Sequence, residues 1–174
     1  MGLINIYNHQ YMKKVLLIRH AKSSWDFDNE DFDRPLNDRG HKNAPEMAKR
    51  LLQQDIDIDA FISSPALRAY STAEYFAKAY DFKLKKIITI PALYHASPEV
   101  FYTVIEEMDD EIKTVAIFSH NPGITDFANQ QTQTSIDNLP TCGIFAIKSE
   151  CKDWRAYRSS EKSLWFFDYP KSVS

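Results

Sequence analysis

Short apolar runs alternate along the chain with longer stretches whose apolar positions recur at helical spacing. Val15-Leu16-Leu17-Ile18 shows no polar alternation, as expected of a strand covered on both faces. After a polar stretch at 22–34, Ala44, Met47, Ala48, Leu51 and Leu52 share one helical face. Asn37 can cap that helix, which runs to about Gln54. Pro45 inside it is expected to weaken or kink the first turns. Ala60-Phe61-Ile62 is a second strand, and Ser64-Pro65 supplies a cap with proline at the first position of a helix to about Tyr80. Ile87-Ile88-Thr89-Ile90 is a third strand, and Ser97-Pro98-Glu99 repeats the cap-plus-proline start of a helix to about Met108. Residues 114–118 form a fourth strand, and Asn121-Pro122-Gly123 opens a short helix to about Asn129. A polar loop at 130–140 precedes two last strands, 143–148 and 164–167, expected as an antiparallel pair at the sheet edge. Strands alternating with helices predict an α/β layer fold.

With 174 residues, the chain fits one compact domain at 12–174, preceded by a loose extension at 1–11. Translation starts at Met1 or at Met12; both readings stay open. A hydrophobic content of 44% supports a real core and argues against disorder. The net charge of -3 argues against a general nucleic-acid binder, although a local basic pocket is compatible with it. No apolar stretch approaches the ~18 residues of a membrane span, and no signal peptide pattern opens the chain. A cytoplasmic monomer with free Cys142 and Cys151 is the expectation. Neither cysteine has a partner at zinc-finger spacing. The acidic run Asp26, Asp28, Glu30, Asp31 and Asp33 lacks the glycine and closing glutamate of a calcium loop and reads as a solvated lid.

Three strands end in chemically loaded residues: Arg19-His20 after the first, Ser63-Ser64 with Arg68 after the second, and Ser119-His120-Asn121 after the fourth. In open α/β sheets, ligands sit beyond the carboxyl ends of the strands. Each of these residues alone has an ordinary structural reading. Together they place two arginines and two histidines at one sheet edge. Arginine binds two phosphate oxygens at once. A neutral imidazole can attack phosphorus and carry the phosphoryl group. His9 and His41 read as surface residues, whereas His95 either lines the pocket or is structural.

Leu17-Ile18-Arg19-His20-Ala21 resembles the Arg-His-Gly signature of the histidine phosphatase (phosphoglycerate-mutase-like) superfamily. Ser63-Ser64-Pro65-Ala66-Leu67-Arg68-Ala69 with Thr72-Ala73 resembles its second motif, and Ser119-His120-Asn121-Pro122 its third. Lys22-Ser23-Ser24-Trp25, Arg34-Pro35-Leu36 and Arg39-Gly40 are similar to the bacterial phosphohistidine phosphatase (SixA-type) branch. The resemblance implies a mostly parallel central sheet flanked by helices in a three-layer phosphoglycerate-mutase-like architecture, without metal or cofactor. It implies His20 as nucleophile, completed by Arg19, Arg68 and His120. Ser23 and Asp26 fall where mutase-like members place a serine and an asparagine near the phosphate, and His95 and Asn121 are further candidate substrate-binding residues.

Ala21 departs from the glycine of the signature, and no glutamate follows Leu93 where the family places its general acid. The nearest acid is Glu99. A substrate whose leaving group departs without much help therefore suits the chain. Phosphohistidine is such a substrate, which implies a phosphorylated protein as partner. The alternatives are a phosphomonoesterase or mutase for a small phosphate ester, using His95 or Glu99 as acid, a non-catalytic phosphate-binding module, and metal-dependent hydrolysis by the acidic loop.

Overall fold

The computed structural model describes residues 11–26 and 28–172. The expected loose extension, with His9, lies outside the described residues except for Tyr11. Six strands form one sheet: β1 (Met12–Arg19), β2 (Ala60–Ser63), β3 (Ile88–Thr89), β4 (Thr114–Ser119), β5 (Ile144–Glu150) and β6 (Lys162–Asp168). Four helices accompany them: α1 (Asp38–Leu52), α2 (Leu67–Ala79), α3 (Pro98–Glu106) and α4 (Gly123–Asn129). The strand order is β3-β2-β4-β1-β5-β6. The first four positions are parallel, and β5 and β6 add an antiparallel edge. Among the described residues, no helix is long and apolar enough to cross a membrane.

The chain moves outward along the sheet through α1 and α2 and returns through α3 and α4. Right-handed crossovers place outward and returning helices on opposite faces, and the core divides accordingly. Leu16, Ile18, Phe61, Ala116 and Phe118 pack under Met47, Leu51 and Phe76 of α1 and α2. Val15, Leu17, Ile62, Val115 and Ile117 pack under Phe101, Ile105 and Phe127 of α3 and α4. Successive strand residues point to opposite faces, so an unbroken apolar run such as 15–18 serves both layers.

Asn37 caps α1, its side chain accepting from the Gly40 amide at 2.9 Å. Pro45 does not interrupt the helix. It lies on the exposed face, as does His41, whose carbonyl loses its intrahelical donor. Gly40 is pressed against the loop after β1: a Cβ there would sit 2.2 Å from the Lys22 carbonyl oxygen. The Asn37 amide donates to that carbonyl at 3.0 Å, and the Ser24 amide donates to Pro35 at 2.9 Å. The polar stretch between β1 and α1 is thereby folded back and fixed at its base.

Two sequence expectations shift. The second helix starts at Leu67, with Ala66 as its uncapped boundary, rather than at Ser64-Pro65. Ser64 is instead drawn to His120, as described below. The third strand is two residues long because it lies at the exposed sheet edge, with Ile87 in the preceding turn and Pro91 beginning the next.

Candidate active site

The alignment of three strand ends creates the site. Arg19 lies opposite Ser119 in the β1–β4 pair, and Ser63 lies opposite Phe118 in the β2–β4 pair. The ladder continues one residue further, the His20 amide donating to Ser119 at 3.1 Å and the Ser64 amide to Phe118 at 2.9 Å. His20, Ser64 and His120 are thus fixed side by side at the carboxyl edge. The connections after β1 and β4 leave in opposite directions, which makes this the crevice where such sheets bind ligands. The His20 and His120 ring centroids are 5.1 Å apart.

His20 is buried, and its Nδ1–H donates to the Ala21 carbonyl at 2.7 Å. That bond assigns the proton to Nδ1 and leaves the lone pair on Nε2. Arg68 Nε faces this lone pair at 3.4 Å. Burial, with the Arg68, Arg19 and Arg34 guanidinium groups, outweighs the Ala21 carbonyl and pushes the His20 pKa down to about 3. The ring is therefore neutral at physiological pH, the state a nucleophile requires.

His120 Nε2 lies 2.7 Å from Ser64 Oγ, and His120 Nδ1 is buried without a protein partner. Ser64 Oγ also accepts from the Ala66 amide at 3.3 Å. When the Ser64 hydroxyl donates to Nε2, the His120 proton sits on the unpartnered Nδ1, the tautomer that offers a donor to a bound oxygen. Burial, the neighbouring His20 and Arg68 drive the His120 pKa down to about 2. Arg19 donates from Nη1 to the Leu139 carbonyl at 2.9 Å, while its buried Nε has no partner.

The cavity above these groups has a volume of about 280 Å³ and is lined by Arg19, His20, Lys22, Ser23, Trp25, Asp31, Arg34, Arg68, His95, His120, Asn121 and Thr141. Four cations thus face one carboxylate, a strongly anion-attracting balance inside a chain of net negative charge.

All four central residues named from the sequence come together here, joined by Ser23, His95 and Asn121. Ser23 accepts from Arg34 Nη1 at 3.0 Å, and Asn121 Oδ1 accepts from Thr125 Oγ1 at 2.6 Å. Asp26 is exposed and outside the lining; its carboxylate accepts from Ser24 at 3.2 Å instead. His41 is exposed and meets Tyr75 at 2.9 Å. Glu99 lies away from the pocket and pairs with Arg158 at 3.0 Å.

The acidic loop corrects the reading of a merely solvated lid. Asp31 accepts from Arg68 Nη2 at 3.1 Å, Arg34 Nε at 3.0 Å and the Tyr94 hydroxyl at 2.7 Å. Burial opposes ionisation, but these hydrogen bonds and the Arg68 charge hold the Asp31 carboxyl down to about 2. Arg68 occupies the first turn of α2, where a cation opposes the helix dipole. Its need for an anionic partner is visible in the sequence; the choice of Asp31 depends on how the loop folds. Arg34 was part of the motif stretch but carried no assigned role, and Ser64 was assigned to the wrong bond.

A parallel sheet with a cationic, histidine-floored pocket at its switch point defines an α/β protein built to bind phosphoryl groups. The sequence model of the histidine phosphatase superfamily (branch 1) matches residues 15–116. The chain belongs to that superfamily and is accordingly a hydrolase of phosphoryl groups. A protein of Mycobacterium leprae (strain TN) is 28% identical over 168 residues, 88% of this chain and 100% of the relative. The mitochondrial serine/threonine-protein phosphatase Pgam5 of Drosophila simulans is 30% identical, but the match spans 49% of this chain and 29% of Pgam5. SixA of Agrobacterium tumefaciens has a TM-score of 0.73 at 25% identity, over 91% of this chain and 98% of that one. A second structure, the protein histidine phosphatase SixA complexed with tungstate, has a TM-score of 0.77 at 20% identity, over 90% and 97% of the two chains, a likeness of fold.

Proposed function

We propose that the chain is a phosphohistidine protein phosphatase, with His20 as nucleophile and Arg19, Arg68 and His120 binding the phosphoryl oxygens. The His20 Nε2 lone pair attacks phosphorus, forming one P–N bond as the substrate's P–N bond breaks. The substrate ring, protonated from solvent on its other nitrogen, takes the electron pair of the breaking bond and departs as neutral imidazole. Water then attacks the phosphoryl group on His20, releasing inorganic phosphate and restoring the ring. The Nδ1–H bond to Ala21 holds His20 in the attacking tautomer, and the cations offset charge on the equatorial oxygens.

The observation that carries this reading is the state of the acids. Among the described residues lining the pocket, Asp31 is the only carboxyl group, and it is held ionised. An alkyl phosphate expels an alkoxide whose acid has a pKa near ~15.7, the value for water, and needs a proton donor. Imidazole leaves as a base whose conjugate acid has a pKa near ~6.5. Loss of general acid catalysis costs about 10²- to 10⁴-fold for a poor leaving group and much less for this one.

His95 favours one second reading. It stands exposed at the pocket mouth, with its backbone at φ 57°, and can serve a small phosphate ester as proton donor. Relative kcat/KM on a phosphohistidine peptide, a sugar phosphate and a nitrophenyl ester decides between them. The peptide is expected to lead; a lead for the sugar phosphate overturns the proposal. The described cysteines are buried and unpaired, which fits a reducing cytoplasm as the proposed site of action.

A further inference from the structure

The steps above make no use of Trp25 at the pocket mouth. Trp25 is 72% exposed, far more than a large apolar side chain needs to be in a folded chain with a formed core. It is nevertheless held. The Arg34 guanidinium lies 3.5 Å from the centroid of its ring. That guanidinium is itself fixed, donating to Asp31 and Ser23, each at 3.0 Å. One part of the indole is therefore backed by an anchored cation, while the rest stays open beside the cavity it lines.

The cavity also has a direction. His20, Ser23, Arg34, Arg68 and His120 are buried at its base, whereas Lys22, Trp25 and His95 are exposed at its rim. Phosphoryl transfer places attacking and leaving atoms roughly in line. With the nucleophile at the base, the leaving group departs through the rim, past the indole.

We propose that Trp25 is a specificity-determining binding residue whose open surface stacks on a flat aromatic leaving group, the imidazole ring of a phosphohistidine. This rests on the proposed function. The base of the pocket grips any phosphoryl group; the indole distinguishes what that group is attached to. Offset or edge-on packing suits two rings of this size, and a substrate ring protonated on its other nitrogen presents a positive charge to the indole face.

The test compares two P–N substrates, a phosphohistidine peptide and phosphoramidate, which expels ammonia and has no ring. In Trp25→Ala, kcat/KM on the peptide should fall roughly two- to tenfold more than on phosphoramidate, the range of one aromatic pair. Trp25→Phe should recover most of the difference, and Trp25→Leu should not. Equal losses on both substrates overturn the stacking, because they show Trp25 acting only by supporting Arg34. A wild-type enzyme that cleaves phosphoramidate but leaves the peptide intact overturns the proposed function, and the stacking with it.

Discussion

Ser64→Ala isolates the part of the site that the sequence misassigned. The substitution removes the hydroxyl 2.7 Å from His120 Nε2, in surroundings where His120 retains only 6% exposure. Water cannot readily replace the lost partner. An unsatisfied buried polar group costs about 1–3 kcal/mol, which lowers Tm by roughly 2–12 °C in a chain of this size. The catalytic effect is smaller than deletion of the imidazole. Ser64 contributes one neutral hydrogen bond, about 0.5–1.5 kcal/mol, towards holding the proton on Nδ1, so kcat/KM should fall about two- to tenfold. His120→Ala removes the donor itself and should cost about 10²- to 10³-fold. Since Ser64 works through His120, the double variant should be no slower than His120→Ala alone. The assay is kcat/KM on the phosphohistidine peptide for all four proteins. Losses that multiply in the double variant, or a fully active Ser64→Ala, would refute this role.

Acidification should destabilise the protein from near neutrality downward. His20 and His120 are held to about 3 and about 2, below the ordinary 6.5. The unfolded chain therefore binds protons first, and stability is full above pH ~6.5 and lost as pH falls towards ~3. By pH ~5 the loss is about 2 kcal/mol per histidine. Urea midpoints at pH 7 and 5 should show it, and a His20→Gln/His120→Gln variant should be much flatter. Gly123→Ala should destabilise by about 1–3 kcal/mol, because its Cβ would fall 1.8 Å from the Ala96 carbonyl oxygen. The segment bearing His95 must then shift, and KM should rise; an unchanged thermal melt would contradict the close packing of α4.

The sheet was largely legible because its central strands are apolar on both faces, as at 15–18 and 114–118, a pattern few other structures produce. Elements with weaker burial were placed less well. The edge strand β3 is exposed, so the β-prone run at 87–90, three isoleucines and a threonine, overstated its length. Ser64-Pro65 carries a strong helix-start signal, yet tertiary pairing with His120 took the serine away from capping. The four central site residues were legible because Arg19 ends β1, His20 and His120 directly follow β1 and β4, and Arg68 lies in the first turn of the helix after β2, where short-range order fixes position. Asp31, Arg34 and Trp25 were not, since their roles depend on a loop folding back onto Arg68, a contact 37 residues apart in sequence. Acidic spacing alone cannot distinguish a solvated carboxylate from one clamped between two guanidinium groups.

The most direct measurement is rapid-quench trapping of the enzyme during turnover of a phosphohistidine substrate carrying a radiolabelled phosphoryl group, followed by site mapping. His20 should carry the label as an acid-labile, alkali-stable phosphoryl group, and His20→Ala should carry none and turn nothing over. Turnover without a labelled wild-type enzyme, or with the label on another residue, would contradict His20 as the nucleophile.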